Sequence, residues 1–91
     1  MISKVFAIFD TKVAAYLPPF MMKTIGEAER TLDALINDPE HNFCKHAEDF
    51  ILFELGSWSD DDASYNLYDA PHSISQFIAY RKPGVGESTS S

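Results

Sequence analysis

Two adjacent prolines, Pro18 and Pro19, lie inside an extended apolar stretch that runs from Ala14 to Met22. Proline has no amide hydrogen to donate to a neighbouring strand, so it is confined to edge strands or to breaks in a strand. We therefore expect this stretch to form an edge of a sheet or to be interrupted at the proline pair.

Two further segments have the pattern of central strands. Ile2–Phe9 and Phe50–Leu55 carry apolar residues on both alternating faces, which is typical of strands that are buried on both sides. A polar turn at 56–63 follows the second segment, and Ser64–Asp69 then predicts the partner strand of a hairpin.

One helix is well defined by its start, its periodicity and its end. Thr24 and Glu27 form a Thr-x-x-Glu capping box, in which the glutamate side chain reaches back towards the cap. The helix should end at Asn37 and Asp38, because a residue before proline (here Pro39) avoids the helical conformation. A single apolar stripe lies between these signals: Ile25, Ala28, Leu32, Leu35 and Ile36.

These elements predict an α+β fold. We expect a two-layer sandwich in which an antiparallel sheet of order ββαββ, followed by a short C-terminal helix, carries one main helix on one face. Residues 40–48 should form a loop, whereas 71–81 fits either a short helix or a last strand. We expect one domain over residues 1–82 and a disordered tail over 83–91, "PGVGESTSS".

One helix can cover only one face of such a sheet, yet two strands are apolar on both faces. The uncovered face should therefore be apolar, and self-association through it or through an edge would remove it from water. A homodimer or a higher assembly follows as an expectation.

The charge of the chain limits its partners. Seven Lys and Arg residues stand against fourteen Asp and Glu, for a net charge of −7 in 91 residues. Non-specific nucleic-acid binding depends on basic groups, so an average acidic surface disfavours it. We find no signal peptide and no apolar run of membrane-spanning length, and we expect a soluble cytosolic protein that does not bind a membrane.

A histidine and cysteine cluster is the first candidate for chemistry. His41, Cys44 and His46 lie within six residues, with Glu48 and Asp49 close by. Such residues can ligate zinc or form a Cys-His nucleophile. Structural zinc usually recruits a second pair of ligands, so a polar loop with a half-buried cysteine is the favoured interpretation.

Two other patterns have competing explanations. Asp60, Asp61 and Asp62 lack the ligand spacing of a calcium loop and favour a solvated hairpin turn. The aromatic residues could stack unpaired bases or could pack in a core and a dimer contact. The acidic composition favours packing. We expect no catalytic residues, no metal and no cofactor, and therefore a binding or assembly protein that is not an enzyme.

Three stretches together carry a family resemblance: "IFDTKVAAYLPPF", "GEAERTLDALINDPEHNFCKHAEDFILFELGSWSDD" and "SISQFIAY". In order and spacing they resemble the small nonstructural protein of gokushoviruses, a microvirus group of phages with single-stranded DNA genomes. The resemblance implies a protein of the infected bacterial cytoplasm that is not part of the mature virion. It also implies a role in viral DNA replication, or in the switch to single-strand synthesis and packaging.

The resemblance leaves the partner open. Single-stranded DNA, the replication initiator, and coat protein during capsid assembly or scaffolding are the alternatives, beside a second copy of the chain. We expect contacts with a partner or with DNA from these residues: Tyr16, Pro18, Pro19, Phe20, Met21, Met22, Lys23, Trp58, Tyr65 and Tyr68.

Overall fold

The structure, a computed structural model, describes residues 1–83. Most of the predicted tail therefore lies outside the described residues. The described part is a small mixed α/β domain with one antiparallel sheet and few helices. Its elements are β1 (Ile2–Asp10), β2 (Ala15–Tyr16), β3 (Phe20–Met22), α1 (Ile25–Ile36), α2 (Asn42–Lys45), β4 (Phe50–Ser59) and β5 (Ser64–Gln76), with 3₁₀ turns at Ala47–Asp49 and Phe77–Ala79.

The sheet has β1 and β4 at its centre and β5 at one edge. β2 and β3 form the other edge, because both pair with β1 and with no other described strand. Pro18 and Pro19 lie between these two short strands, so the prediction of an interrupted edge is confirmed. Leu17 bridges the interval by donating its amide hydrogen to the carbonyl oxygen of Ile8 at 2.8 Å.

The predicted helix is confirmed as α1, and Thr24 caps it. The Thr24 hydroxyl accepts a hydrogen bond from the amide of Glu27 at 3.0 Å. The Glu27 carboxylate bonds to the amide of Lys23 at 3.3 Å, one residue before the cap. The reciprocal hydrogen bond of the capping box is therefore made by the amide of Lys23 and not by the amide of Thr24 itself.

The hydrophobic core lies between α1 and one face of the sheet. Phe6 and Leu52 contribute from the central strands, Leu32 and Ile36 contribute from α1, and Phe77 closes one end. All five side chains are buried. Burying large apolar side chains in this way is the main stabilising contribution to such a domain.

The hairpin formed by β4 and β5 differs from its prediction in both strands. β4 continues through the predicted turn to Ser59, because Gly56 lies within the strand at a β-bulge rather than starting a turn. β5 extends to Gln76, well beyond the predicted Asp69. The segment 71–81 is therefore mostly strand, and only a 3₁₀ turn at Phe77–Ala79 takes the place of the expected short helix.

The predicted loop at 40–48 also contains more structure than expected. The imidazole of His41 accepts a hydrogen bond from the amide of Phe43 and caps the short helix α2. Cys44, a residue of this helix, is fully buried, where a half-buried side chain was expected. A short helix with a side-chain cap gives little periodic signal in the sequence.

Candidate binding surface

One face of the sheet carries α1 and the other does not. Cross-strand partners share a face and neighbours along a strand alternate, so the pairing assigns each strand residue to one side. We call the side opposite α1 the open face. Pairing places these residues on it: Ser3, Val5, Ala7, Phe9, Tyr16, Met21, Ile51, Phe53, Trp58, Tyr65, Leu67, Ser73 and Gln76.

Three aromatic rings form the centre of the open face. The ring of Phe9 lies 4.8 Å from that of Tyr16 and 6.3 Å from that of Phe53. Val5 and Ala7 beside them are buried, although no helix lies above them. The three rings therefore form a continuous apolar surface on this side of the sheet.

The open face continues along β4 and β5 towards the turn that joins these two strands. Trp58 pairs with Tyr65, and Leu67 follows on the same side of β5. Tyr65 and Leu67 are each 57% exposed, and Met21 across the sheet is 43% exposed. Among the described strand residues that pairing assigns to the open face, none is charged. A partly exposed surface without charged residues is unusual in a chain of net charge −7.

The structure brings only some of the predicted contact residues together. Tyr16, Met21, Trp58 and Tyr65 share the open face. Phe20 and Met22 instead point to the α1 side, where they pack against the core, and the ring of Phe20 stacks on that of Phe6. Pro18, Pro19 and Lys23 are exposed beside the sheet edge and near the start of α1.

The open-face residues that the sequence prediction missed include Phe9, Phe53 and Leu67. A period-two pattern along β1 and β4 could have found the first two, because both lie in step with residues that face away from α1. Leu67 could have been found by extending the alternation of Tyr65 by one step.

Tyr68 lies on the α1 side of the sheet in a polar cluster. Its hydroxyl donates a hydrogen bond to the buried carboxylate of Glu54, which also pairs with the amine of Lys4 at 3.3 Å. The hydrogen bond to Glu54, with some help from burial, raises the pKa of Tyr68. His72 stacks on the Tyr68 ring at 4.1 Å. This cluster ties β5 to β4 where β5 bulges, and it places Tyr68 on the side opposite the open face.

The loop near α2 contains the described residues best suited to ligate a metal. Ligand atoms of His46, Glu48 and Asp49 lie within 4.8 Å of one another. Asp49 and His46 also line an open cavity of about 290 Å³ with Asp10. His41 is occupied as a helix cap, and the buried Cys44 is not part of this group. The three side chains are at most partly buried, so the group has the composition of a ligand set without an enclosed site.

In the described part of the chain, no helix has both the length and the apolar composition needed to cross a membrane. A family model described as "Phage ORF5 protein" matches residues 3–80. No curated protein and no solved structure matches the chain. The match covers every strand of the sheet except the first residue of β1, and it includes all residues of the open face.

Proposed function

Because the chain belongs to the Phage ORF5 protein family, we propose that it acts in viral DNA replication, or in the switch to single-stranded DNA synthesis and packaging. It does so by binding other macromolecules as a homo-oligomer and not by catalysis. The resemblance to the gokushovirus nonstructural protein supports this role, with the host bacterial cytoplasm as its location and no place in the mature virion.

The uncharged open face is the observation that carries the proposal. Fourteen acidic residues are distributed over this chain, yet the strand residues that pairing assigns to the open face include none of them, and Asp69 lies in the unpaired segment 68–71. Exposed aromatic and aliphatic groups without charge are typical of surfaces that a protein partner covers. A surface selected only for solubility would carry charges among its apolar residues.

A second copy of the chain is the partner that this face suits best. Two acidic molecules repel each other least where neither carries charge, so the open face is the favourable place for self-contact. Four strand positions and about eight residues along each give a projected area of roughly 500 Å². Side chains add accessible area to that projection, which brings the face near the roughly 800 Å² per partner of stable complexes.

Single-stranded DNA is a weaker candidate for the open face. Aromatic platforms that bind single strands work together with basic residues that neutralise the phosphates. The open face has no Lys or Arg among its strand residues, and Lys4 belongs to the opposite side, where it pairs with Glu54. This absence of charge favours the second candidate function, a capsid assembly factor that binds coat or initiator protein without contacting DNA.

Light scattering tests the self-association. The wild type should show the mass of a dimer, whereas Leu67→Lys should shift the mass towards the monomer. Ile2→Lys is the matched control, because Ile2 is a similarly exposed aliphatic residue, at 59% against 57%, on the α1 side. A monomeric wild type, or equal effects of the two variants, would refute self-association through the open face.

Two further experiments separate the functions. A mobility shift with single-stranded DNA across a salt series should show no complex at low salt if the partner is a protein. In infected cells, loss of the protein should lower the amount of single-stranded genome relative to the double-stranded form, and Ile2→Lys but not Leu67→Lys should restore it. Normal genome forms with altered capsid intermediates would instead support the assembly function.

A further inference from the structure

The two edges of the sheet differ in the length of unpaired strand backbone that they expose. β2 and β3 are two and three residues long and are separated by Pro18 and Pro19. β5 is thirteen residues long and pairs with β4 alone among the described strands. Residues 64–73 of β5 are all exposed. The outer edge of β5 therefore offers backbone donors and acceptors that a further strand can use.

Only part of this edge has the usual protection. Natural proteins guard exposed edges with prolines, bulges, short strands and especially lysines. Pro71 and the irregular segment 68–71, which faces a single residue of β4, interrupt β5 near its middle. The four residues Ser64–Leu67 before this interruption pair regularly with β4 and include neither proline nor lysine. This segment is the open part of the edge.

The charge beside the open segment is of one sign. Between residues 50 and 76, which cover both strands of the hairpin, the sequence has five acidic residues and no Lys or Arg. The five are Glu54, Asp60, Asp61, Asp62 and Asp69. Lys4 already pairs with Glu54, and the N-terminal amine lies 2.6 Å from Asp60.

Two carboxylates stand at one end of the open segment, Asp61 and Asp62. The Asp61 side chain is 84% exposed and lies 3.7 Å from the same N-terminal amine, and Asp62 accepts hydrogen bonds from the amide and the hydroxyl of Ser64. Those bonds lower the pKa of Asp62 and so favour its ionised form. Asp69 lies at the other end of the segment.

This charge distribution decides which strand can occupy the edge. A second copy added antiparallel about Asn66 would place its Asp62 opposite Ala70, one residue from Asp69 of the first copy, and carboxylates brought this close together repel each other. A strand with basic side chains would meet the same carboxylates favourably. We propose that the outer edge of β5 binds an extended, basic segment of a partner protein by β-strand addition.

The inference specifies the kind of partner, a protein with a basic extended segment, and it rests on the proposed function for the process in which that partner is bound. It uses a different surface, however, because β-strand addition needs the backbone of β5 and not the open face. Main-chain hydrogen bonds along Ser64–Leu67 give the affinity, and the flanking aspartates select for Lys or Arg.

Labelled peptides test the inference with the full chain. The probe is a peptide of alternating Lys and Val, about eight residues long, which is long enough to pair with Ser64–Leu67 and to reach the aspartates at 62 and 69. A Lys and Pro peptide of equal charge cannot pair with a strand, and a Glu and Val peptide has the opposite charge. Fluorescence anisotropy should detect binding of the Lys and Val peptide alone, and hydrogen exchange should slow at backbone amides within 64–67.

A pair of variants at one position separates charge from folding. Asn66 pairs with Ser57 on the α1 side, is exposed, and lies away from the open face. Asn66→Lys should weaken binding of the Lys and Val peptide by about fivefold, and Asn66→Glu should retain or strengthen it. A fold defect would affect both variants alike, and thermal unfolding of each detects it.

Several outcomes would overturn the inference: equal binding of the Lys and Pro peptide, no binding of any peptide, no difference between the two Asn66 variants, or binding of a single-stranded oligonucleotide in place of the peptide. Light scattering remains a separate readout. A monomer that binds the Lys and Val peptide refutes self-association and supports the edge site. A dimer that binds no peptide does the reverse.

Discussion

The ring of Tyr16 lies 5.6 Å from the ring of Phe53 in an edge-to-face arrangement, although β1 runs between their two strands. Ala7, the residue of β1 that pairs with Phe53, is only 2% exposed. A methyl group at this position leaves room for rings from both neighbouring strands to meet. The open face is therefore a continuous surface across three strands and not a set of separate side chains.

Self-association should depend on Tyr16 at one end of this surface as it does on Leu67 at the other. Tyr16→Lys places a charge on the open face and should raise the dimer dissociation constant by at least tenfold, since burying an unpaired charge is costly. Sedimentation velocity over a concentration series measures it. Val13→Lys is the control, because Val13 is exposed in the turn before β2 and not on the open face. An unchanged dimer in Tyr16→Lys would exclude this surface.

Gly56 should be intolerant of any side chain. Its φ of +153° lies in a region that other residues rarely adopt, and a Cβ built there would lie 2.3 Å from the carbonyl oxygen of Asn66. Gly56→Ala should lower the free energy of unfolding by at least about 2 kcal/mol, because β5 must move away from β4. Urea denaturation measures the loss.

At Gly26, in contrast to Gly56, a substitution by alanine should stabilise the protein. A Cβ there meets nothing closer than 3.9 Å, and the residue lies in the first turn of α1. Gly26→Ala should raise the free energy of unfolding by about 0.5 kcal/mol through helix propensity. A lower free energy of unfolding in Gly26→Ala, or an unchanged one in Gly56→Ala, would contradict the backbone conformation described for these two glycines.

The helix cap should contribute measurably to stability. Thr24→Ala removes the hydroxyl that accepts from Glu27 and should cost about 1 kcal/mol. Thr24→Ser keeps an acceptor at the same position and should cost much less. The comparison is made by urea denaturation, and equal losses in the two variants would show that the hydroxyl does not cap α1.

The elements that could be predicted are those whose signals are local. The cap at Thr24 and the apolar stripe that follows it lie within thirteen residues, and α1 was found within one residue of its bounds. The proline pair was sufficient to locate a broken edge, because the missing amide hydrogen acts at the same place in any fold. Apolar residues on both faces of β1 likewise indicated a surface that one helix leaves uncovered.

The elements that were missed depend on distant contacts. Gly56 resembles a turn residue in the sequence, and only the close approach of Asn66 from β5 shows that it is a bulge. Phe20 and Met21 are adjacent and similarly apolar, yet pairing with Phe6 and Val5 sends them to opposite faces. A strand's face is set by its register with its neighbours, which one sequence does not display.

Cys44 should be unreactive in the folded protein. Its side chain is fully buried, and Arg81 donates a hydrogen bond to its carbonyl oxygen at 2.6 Å, which holds the segment around Arg81 against α2. Reaction with a thiol reagent should need opening of the structure and should accelerate when denaturant is added. Arg81→Ala should speed the reaction relative to Lys82→Ala, its exposed neighbour. Immediate labelling of the native wild type would show that Cys44 is accessible.

Stability should fall at alkaline pH because of Tyr80. Its hydroxyl donates a hydrogen bond to Oε2 of Glu29 at 2.7 Å and so ties the end of the described chain to α1. Burial first, and then this hydrogen bond, raises the pKa of Tyr80 to about 12. The ordinary pKa of tyrosine is about 10, so the folded protein holds this proton more tightly than the unfolded chain does. The contribution is therefore complete below about pH 10 and is lost as the pH rises towards 12.

Tyr80→Phe isolates this effect. The variant should be less stable than the wild type at pH 8, because it lacks the bond to Glu29, and the difference should shrink between about pH 10 and pH 12. The pKa of Tyr68 is also raised, so both proteins should carry Tyr68→Phe to remove a second phenol from the same window. Urea denaturation at several pH values gives the difference in free energy of unfolding. A difference that stays constant from pH 8 to pH 12 would show that the Tyr80 proton is not linked to folding.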